Sequence, residues 1–410
     1  MQSPFKDLPR EISVLVAASF FVAVGFGIVL PAIPVFARTF GVNNAAIGLI
    51  ISMFAITRFA SGLISGKLVD MFGERAVFSS GVLMVAIFVF LAGMATSYSQ
   101  LLFFRAAGGL GSSMFSVAAG SVIMRSVDDE HRGRAQSVYN GAFLVGGVSG
   151  PAIGGLLSLI SLRAPFFAYS AMLLTSGVVA HFFLKGSKIG KRERNVDTSN
   201  HTTVREALSM KPYQIALVLS FIGNWVVFGL RASIMPVFVT EQLHASTAVV
   251  GYGFALSAIF QGALLMRGGR LSDNKGRRIA SIIGSSIALC GVLVMTLAVH
   301  PWMYLVAMSI IGIGSAFLST TPASIVGDII HGRGGQVIAV FQMAGDAGMI
   351  VGPLVIGALS DAYSYRTAFA VSAVVFAVGT LLTTRIPETR ESFLEGQREK
   401  PQVNNLEPLV

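Results

Sequence analysis

Twelve long apolar runs, separated by polar segments, dominate this chain and leave few structures open to it. A helix needs roughly 20 residues to cross about 30 Å of hydrocarbon, and each run approaches that length. Lipid offers no water to peptide groups, so each run must satisfy its own backbone as a helix. The runs lack the alternation of a membrane β-barrel. They are residues 12–36, 44–66, 76–95, 101–123, 136–160, 163–184, 213–239, 247–266, 279–299, 302–326, 336–359 and 365–384.

Composition agrees with lipid as the main solvent. Apolar residues make up 53% and charged residues 12%, with a mean hydropathy of +0.72, whereas soluble proteins carry about 25% charged residues. The net charge of +10 lies in the polar segments between runs, which favours membrane orientation over nucleic-acid binding. The single cysteine, Cys290, and the scattered histidines do not form a metal-binding pattern. We therefore expect no metal and no cofactor.

One long hydrophilic interior segment divides the runs into two sets of six. We predict an N-terminal six-helix bundle at residues 1–186 and a cytoplasmic linker at 187–211. A C-terminal six-helix bundle at 212–387 and a cytoplasmic tail at 388–410 complete the prediction.

Lysine and arginine indicate the orientation. With the N-terminus in the cytoplasm, the cytoplasmic segments hold 24 of the 30 basic residues. The outer loops hold only Arg38, Arg163 and Arg366. Because cytoplasmic loops are enriched in basic residues, we predict a multi-pass protein of the inner (plasma) membrane with both termini cytoplasmic.

The sequence repeats at half its length. Residues 66–75 read GKLVDMFGER, and residues 269–278, which start 203 positions later, read GRLSDNKGRR. Matches at an offset of 202 are Gly150-Pro151 with Gly352-Pro353, and Gly27 with Gly229. A repeat at this period predicts one six-helix unit used twice, in two halves related by an approximate two-fold axis.

The two loop segments resemble the signature between spans 2 and 3 of the major facilitator superfamily. Residues 146–155, GGVSGPAIGG, are similar to the span 5 pattern Gly-x-x-x-Gly-Pro-x-x-Gly-Gly of its twelve-span drug:proton antiporter-like branch. RAAGGLGSS, which starts at Arg105, resembles the span 4 stretch Arg-x-x-x-Gly of that branch. The resemblance covers residues 12–385. It implies an all-α integral membrane protein with twelve transmembrane helices in two pseudo-symmetric six-helix bundles.

The chain departs from the family pattern in two places. Glu74 stands where the first loop signature usually carries a basic residue, although the second copy keeps Arg277 and Arg278. The first span contains no Asp or Glu, which exporters of lipophilic cations in this family often carry there. An anionic, zwitterionic or neutral substrate therefore fits at least as well as a cation.

The loop signatures predict a gating element. Gly66 and Gly73 would let helix ends approach neighbouring spans, and Asp70 near a helix terminus would pair with Arg75. Such a cluster would latch the halves on the cytoplasmic side, whereas the alternative is a basic turn that only sets orientation. The predicted gating residues are Gly66, Asp70, Gly73, Arg75, Gly269, Asp273, Gly276 and Arg277.

Span 5 carries small residues at helical spacing around a proline. Glycines four apart let helices pack closely, and a proline inside a helix removes one backbone hydrogen bond. This motif predicts either static packing or a flexible seam between the halves. Its residues are Gly146, Gly150, Pro151, Gly154 and Gly155.

Four charged residues lie within the predicted spans and are the candidates for proton coupling or substrate binding: Arg58, Arg105, Arg231 and Asp346. A charge at mid-bilayer costs about 2.5–3.5 kcal/mol on insertion scales, so each must face the interior, a cavity or a partner. Asp346 lies about 15 Å from the cytoplasmic start of its run, near the midplane. We predict that it is the proton-coupling residue or the counter-charge of the substrate. A structural Asp–Arg pair is the alternative.

Polar and aromatic residues in the facing spans are candidates for the lining of a central cavity, although each could equally serve helix packing. These are Phe26, Asn140, Phe143, Asn224, Trp225, Phe228, Gln261 and Gln342.

The leading hypothesis is proton-coupled export of a small organic molecule by alternating access, through a monomer whose partners are substrate, protons and lipid. No nucleotide-binding Gly-Lys-Ser/Thr loop is present, so energy must come from a gradient. Proton-coupled uptake of an organic anion is the alternative, because three interior arginines face one aspartate. A membrane enzyme is a further alternative, but it would need a nucleophile–base or metal constellation near one membrane face, and the sequence shows none. A transport-dead receptor is another alternative, which would normally carry an extra soluble domain.

Overall fold

The computed structural model describes residues 9–126, 129–183, 202–319, 321–329 and 335–385, and these contain helices and turns without a strand. The first half forms α1 (Arg10–Val29), α2 (Ala32–Arg38), α3 (Asn44–Ala60), α4 (Gly62–Phe72), α5 (Glu74–Met94), α6 (Tyr98–Ser126), α7 (Asp129–Ile160) and α8 (Ala164–Phe183). The second half forms α9 (Val204–Ser209), α10 (Lys211–Asn224), a π-helical segment (Trp225–Ile234), α11 (Met235–Glu241), α12 (Thr247–Lys275), α13 (Arg277–Thr296), α14 (Pro301–Leu318), α15 (Thr321–Ile329), α16 (Gly335–Ala362) and α17 (Tyr365–Thr383).

These helices make up the twelve predicted spans. Eleven stretches of the described chain are long and apolar enough to cross a bilayer, and α3 with α4, bent by 48°, make a twelfth. Pro31 separates α1 from α2 within span 1, as expected of a residue that cannot continue the hydrogen-bond ladder. The all-helical fold class is therefore confirmed. The proposed limits of the linker and tail stay predictions, because residues 184–201 and 386–410 lie outside the described residues.

Each half has its own apolar core, and the two cores contain equivalent backbone contacts. A Cβ atom placed on Gly27 would lie 3.0 Å from the Cα of Gly150. A Cβ atom on Gly352 would lie 3.4 Å from the Cα of Gly229, which repeats the same contact in the second half. The sequence repeat is thus also a structural repeat of two six-helix bundles.

Large apolar side chains are exposed on the surfaces of both bundles. Leu63, Met266 and Leu381 are large apolar side chains exposed by 85%, 68% and 67%. A water-soluble protein rarely leaves such side chains in a continuous apolar surface. These faces suit hydrocarbon as their solvent.

The halves meet where α3 packs along α16 and where α7 packs along α12. We call the side of the molecule that holds the turns at residues 72–74 and 275–277 the motif side. The opposite side, at the other ends of these helices, is the far side. A Cβ on Gly251 would lie 2.5 Å from the Cα of Gly155, and one on Gly357 would lie 2.5 Å from the carbonyl oxygen of Asn44. These contacts place the closure between the halves on the far side.

The close packing of span 5 on span 1 can be tested with an internal control. A Cβ on Gly150 would lie 2.8 Å from the Cα of Gly27, whereas one on Gly147 meets nothing described within 4 Å. We expect Gly150→Ala to lower the melting temperature of the detergent-solubilised protein, because overpacking costs about 1–3 kcal/mol. Gly147→Ala should leave it unchanged or raise it, since alanine favours helix. Equal melting temperatures for the two variants would contradict this packing.

Candidate functional site

The four charged residues of the spans all lie in the interior. Arg58 is on α3, Arg105 on α6, Arg231 in the π-helical segment and Asp346 on α16. Within the described residues, no side-chain hydrogen bond or ion pair reaches any of the four. Their charges are therefore balanced only by neighbouring aromatic groups and by one another at longer range.

Arg58 lies at the centre of the arrangement. Tyr139 of α7, Tyr169 of α8 and Asp346 of α16 lie within electrostatic range of the Arg58 guanidinium. Asp346 belongs to the second half and is partly buried, as is Arg58. An arginine of the first half and the interior carboxylate of the second half thus lie within electrostatic range of each other. Proton coupling and a structural Asp–Arg pair both stay predictions for this carboxylate.

An aromatic cluster closes the space on the far side of Asp346. The ring of Phe26 lies 6.1 Å from Phe54, 6.4 Å from Tyr169 and 6.4 Å from Phe228, measured between centroids. Met349, one turn beyond Asp346 on α16, packs in the same cluster. Phe228 and Met349 come from the second half, so the cluster joins the halves as well as closing the path.

Arg105 and Arg231 lie against aromatic rings within their own halves. The guanidinium carbon of Arg105 is 4.5 Å from the centroid of Phe54, and its side chain is 4% exposed. The guanidinium carbon of Arg231 is 5.5 Å from the centroid of Phe254. The Nε atoms of both arginines are buried without a hydrogen-bond partner in the described part of the chain. Cation–π attraction offsets part of the cost of this burial.

The other predicted cavity residues differ in their surroundings. Phe143 packs on Tyr139 at 5.6 Å between centroids, beside the Arg58 region, and Gln342 is exposed one turn before Asp346. Asn224 donates to the carbonyl of Ser220 at 3.0 Å, and Trp225 is 5% exposed and donates to Ser372 at 3.2 Å. Trp225 therefore serves the packing of its own half. Gln261 is partly buried on α12, and the side chain of Asn140 lies outside the described residues.

The loop signatures form the tight turns that were expected. Gly73 and Gly276 have φ of 81° and 99°, which only glycine adopts without strain. The close approach predicted at Gly66 is not found among the described residues, because a Cβ there would meet nothing described within 4 Å, and the same is true of Gly269.

Charged residues of the two loops have different partners. Arg75 donates through Nε to the carbonyl of His181 at 2.9 Å and not to Asp70, its predicted partner. Arg277 pairs with Asp328 at 3.0 Å. Glu74, 8% exposed, accepts from Ser121 at 2.9 Å. Each described contact stays within one half. The side chain of Asp273 lies outside the described residues.

The span 5 motif combines two surfaces. A Cβ on Gly146 would lie 2.8 Å from the Cβ of Ala23, and Gly150 and Gly154 also pack directly on the α1 backbone. Pro151 packs on Gly27, which also belongs to α1. Gly155 instead packs on Gly251 of the other half. Most of the motif thus holds span 5 to span 1, and its last glycine forms the seam between the halves.

The sequence profile of the Major Facilitator Superfamily matches residues 15–231 and 215–406, which together cover most of the chain. The chain belongs to the Major Facilitator Superfamily.

Relatives across the superfamily resemble the whole chain. An uncharacterised MFS-type transporter of Methanocaldococcus jannaschii is 24% identical over 92% of this chain and 99% of its own length. Multidrug resistance protein 1 of Bacillus subtilis is 24% identical over 91% of this chain and 95% of its own. A bacterial homologue of the human lysosomal transporter Spinster, solved in an inward-facing and unoccupied conformation, has a TM-score of 0.71 at 18% identity, covering 94% and 98%.

The superfamily assignment makes the protein a multi-pass membrane transporter for small molecules and not an enzyme. Its similarity to multidrug resistance proteins agrees with the drug:proton antiporter-like branch. Among the described residues, no group of three or more His, Cys, Asp and Glu could hold a metal ion.

A polar cluster on the far side of this superfamily member escaped the sequence analysis. We call it the far-side cluster; it consists of Arg38, Asn44, Glu241, Asp361 and Tyr365. Arg38 of the first half pairs with Glu241 of the second half at 2.7 Å, and Tyr365 donates to Glu241 at 2.8 Å. The carboxylate of Asp361 accepts from the backbone N–H groups of Asn44 at 3.0 Å and Ala45 at 2.7 Å.

The contacts of Asp361 satisfy two of the unpaired N–H groups at the start of α3, where the helix dipole also favours an anion. A carboxylate of one half thus caps a helix of the other half. The sequence contained one signal for this cluster. Arg38 and Glu241 are 203 positions apart and opposite in charge, and equivalent positions near a two-fold axis face each other.

Arg38 should control the closure of the far side. We expect Arg38→Ala to add a longer population to the distance between spin labels at Thr39→Cys and Gln242→Cys, because the ion pair between the halves is lost. The labels require a Cys290→Ala background, since Cys290 is the only cysteine. Pulsed electron paramagnetic resonance in nanodiscs measures the distances.

Arg163→Ala is the matched control for this measurement. Arg163 is also a far-side arginine, but it lies 5.7 Å from the ring of Phe36 and donates to Ala95 at 3.4 Å, both within the first half. The control should leave the label distances unchanged. An unchanged distribution in Arg38→Ala would show that the ion pair does not hold the halves together.

Proposed function

We propose that the protein is a proton-coupled exporter of small organic molecules that works by alternating access between its two halves. The observation that carries this proposal is the position of Asp346, a carboxylate of the second half on α16, which packs along the helix α3 that carries Arg58 of the first half. A charge in this place has a different environment whenever the halves separate. Its protonation is therefore linked to the conformation of the protein.

The access path supports this proposal. Described contacts between the halves run from the far side to Phe54 and Met349, and Asp346 lies one turn further toward the motif side. In this state substrate and protons would reach Asp346 from the motif side. Closure of the motif side and rupture of the far-side cluster would open the site to the opposite face.

We propose that the motif side is cytoplasmic, that both termini lie there, and that the protein is a monomer in the plasma membrane. The distribution of Lys and Arg supports the orientation, because the sequence segments predicted to be cytoplasmic hold 24 of the 30 basic residues. In this orientation the structure corresponds to an inward-facing state.

Export is the preferred direction because of the sequence relatives and the span 5 pattern. The relatives include multidrug resistance proteins. Residues 146–155 match the span 5 pattern found more often in exporters. Proton-coupled uptake of an organic anion is a second candidate, which the three interior arginines against one aspartate favour.

Asp346→Asn tests the coupling. We expect it to abolish uphill movement of substrate in vesicles with an imposed pH gradient, because the neutral amide can neither take up nor release a proton. The variant should still exchange substrate down its gradient and should still elute as a folded protein. Glu11→Gln, a change at the first turn of α1 away from the interior, should retain uphill transport. Uphill accumulation by Asp346→Asn would refute the role of this carboxylate.

The pH dependence of binding distinguishes export by antiport from uptake by symport. If substrate and proton exclude one another, affinity should rise with pH by up to about tenfold per unit while Asp346 is protonated in the free protein. If they bind together, affinity should fall as pH rises. Substrate titrations in nanodiscs across a pH series measure the sign. A falling affinity would replace the antiport proposal by the symport alternative.

A further inference from the structure

The interior arginines differ in what they face. Arg105 and Arg231 each lie against a ring of their own half, Phe54 and Phe254 respectively. Neither crosses from one half to the other. Arg105 is 4% exposed, and the Phe54 ring over it also belongs to the cluster that joins the halves, whereas Arg231 is partly buried within the second half. No described contact links either guanidinium to a charged group of the other half, so Arg58 and Asp346 are the described pair of opposite charges on the two sides of the interface.

Arg58 and Asp346 lie at similar depth on opposite sides of the interface. Ser52 of α3 donates to the carbonyl of Ile350 of α16 at 2.6 Å, which fixes the register of the two helices. Arg58 lies six residues beyond Ser52, about 9 Å toward the motif side. Asp346 lies four residues before Ile350, about 6 Å in the same direction. Both side chains are partly exposed, and they form no hydrogen bond within the described chain.

Aromatic side chains surround this pair of charges. The rings of Phe26, Phe54 and Phe228 close the space toward the far side. Tyr139 and Phe143 of α7 lie on the first-half side, near Arg58. A flat apolar body would fit against these rings, because aromatic faces favour stacked or edge-on partners.

We propose that the compound bound at this site is a zwitterion with an aromatic body, whose anionic group contacts Arg58 and whose cationic group contacts Asp346. This inference rests on the proposed function and names its substrate class. A purely cationic compound would leave Arg58 without a counter-charge in a low-dielectric site. A purely anionic compound would leave Asp346 without a counter-charge in the same way. A zwitterion satisfies both charges and joins the halves while it is bound.

The proposal also gives the exchange a chemical basis. The cationic group of the compound and a proton compete for the same carboxylate of Asp346. Because a proton and a cationic group cannot both occupy it, binding of one releases the other, as an antiporter requires. Arg58 meanwhile keeps its contact with the anionic group.

Four probes with the same ring and similar size test the substrate class. They are para-(aminomethyl)benzoate as zwitterion, para-methylbenzoate as anion, para-methylbenzylammonium as cation and para-methylbenzyl alcohol as neutral compound. Calorimetric titration of the full-length protein in nanodiscs at neutral pH measures their affinities. We expect the zwitterion to bind about tenfold or more tightly than each of the others, because charged hydrogen bonds are made at both ends.

Variants then assign each end of the probe. Arg58→Gln should weaken the zwitterion about tenfold but should not weaken the cation, whereas Asp346→Asn should weaken the zwitterion similarly but should not weaken the anion. Arg58→Lys, which keeps the charge, should retain the preference for the zwitterion. This variant separates loss of a ligand from loss of fold, and melting curves of all three confirm folding.

Several results would overturn the proposal. Tightest binding of the cation, the anion or the neutral probe would each assign a different substrate class, and no binding of any probe would exclude an aromatic zwitterion here. Because these titrations use no gradient, they are independent of coupling. If the zwitterion is preferred but Asp346→Asn still drives uphill transport, the substrate class stands and the coupling proposal fails. If the cation is preferred and coupling is lost in Asp346→Asn, the reverse holds.

Discussion

Helices in a bilayer gain little by hiding apolar surface from one another, because the surrounding lipid is equally apolar. Close backbone approach and polar contacts must hold them together instead. Here the two halves meet through Gly155 against Gly251 and through Gly48 against the backbone of Pro353. The far-side cluster adds the ion pair between Arg38 and Glu241. The depth and shape of the interior site depend on these few contacts, because they fix how closely the bundles approach.

The bend in span 2 determines where this closure ends. On its far side α3 packs along α16, whereas beyond the 48° bend α4 packs on α5 and α6 of its own half. Arg58 lies three residues before the bend at Ser61 and therefore near the last point where the first half faces the second. The interior charges are thus placed at the motif-side end of the closed seam. The surroundings of a charge in that position would change when the motif side closes.

The sequence predicted the fold well because hydrocarbon leaves one solution for long apolar runs, and because equivalent glycines such as Gly150 and Gly352 report the repeat directly. It predicted the site less completely. The rotation of a helix about its axis decides whether a side chain faces a cavity or its own bundle, and the lengths of apolar runs do not specify this rotation. The sequence pattern therefore groups Trp225 with Phe228, although Trp225 donates a hydrogen bond to Ser372 within its own half. The far-side cluster was missed because Asp361 accepts from backbone N–H groups, which have no sequence signature.

The two-fold repeat is kept in the scaffold and broken in the site. Arg38 and Glu241 occupy equivalent positions 203 residues apart and meet as opposite charges on the far side. At the same offset, the counterpart of Arg58 is Gln261 and that of Asp346 is Phe143. A fully symmetric site would hold two arginines and two aspartates, which could pair within and between halves without any ligand. Because the counterparts of Arg58 and Asp346 are uncharged, these two charges can be paired only across the interface, either with each other or, as we propose, with the two ends of a bound zwitterion.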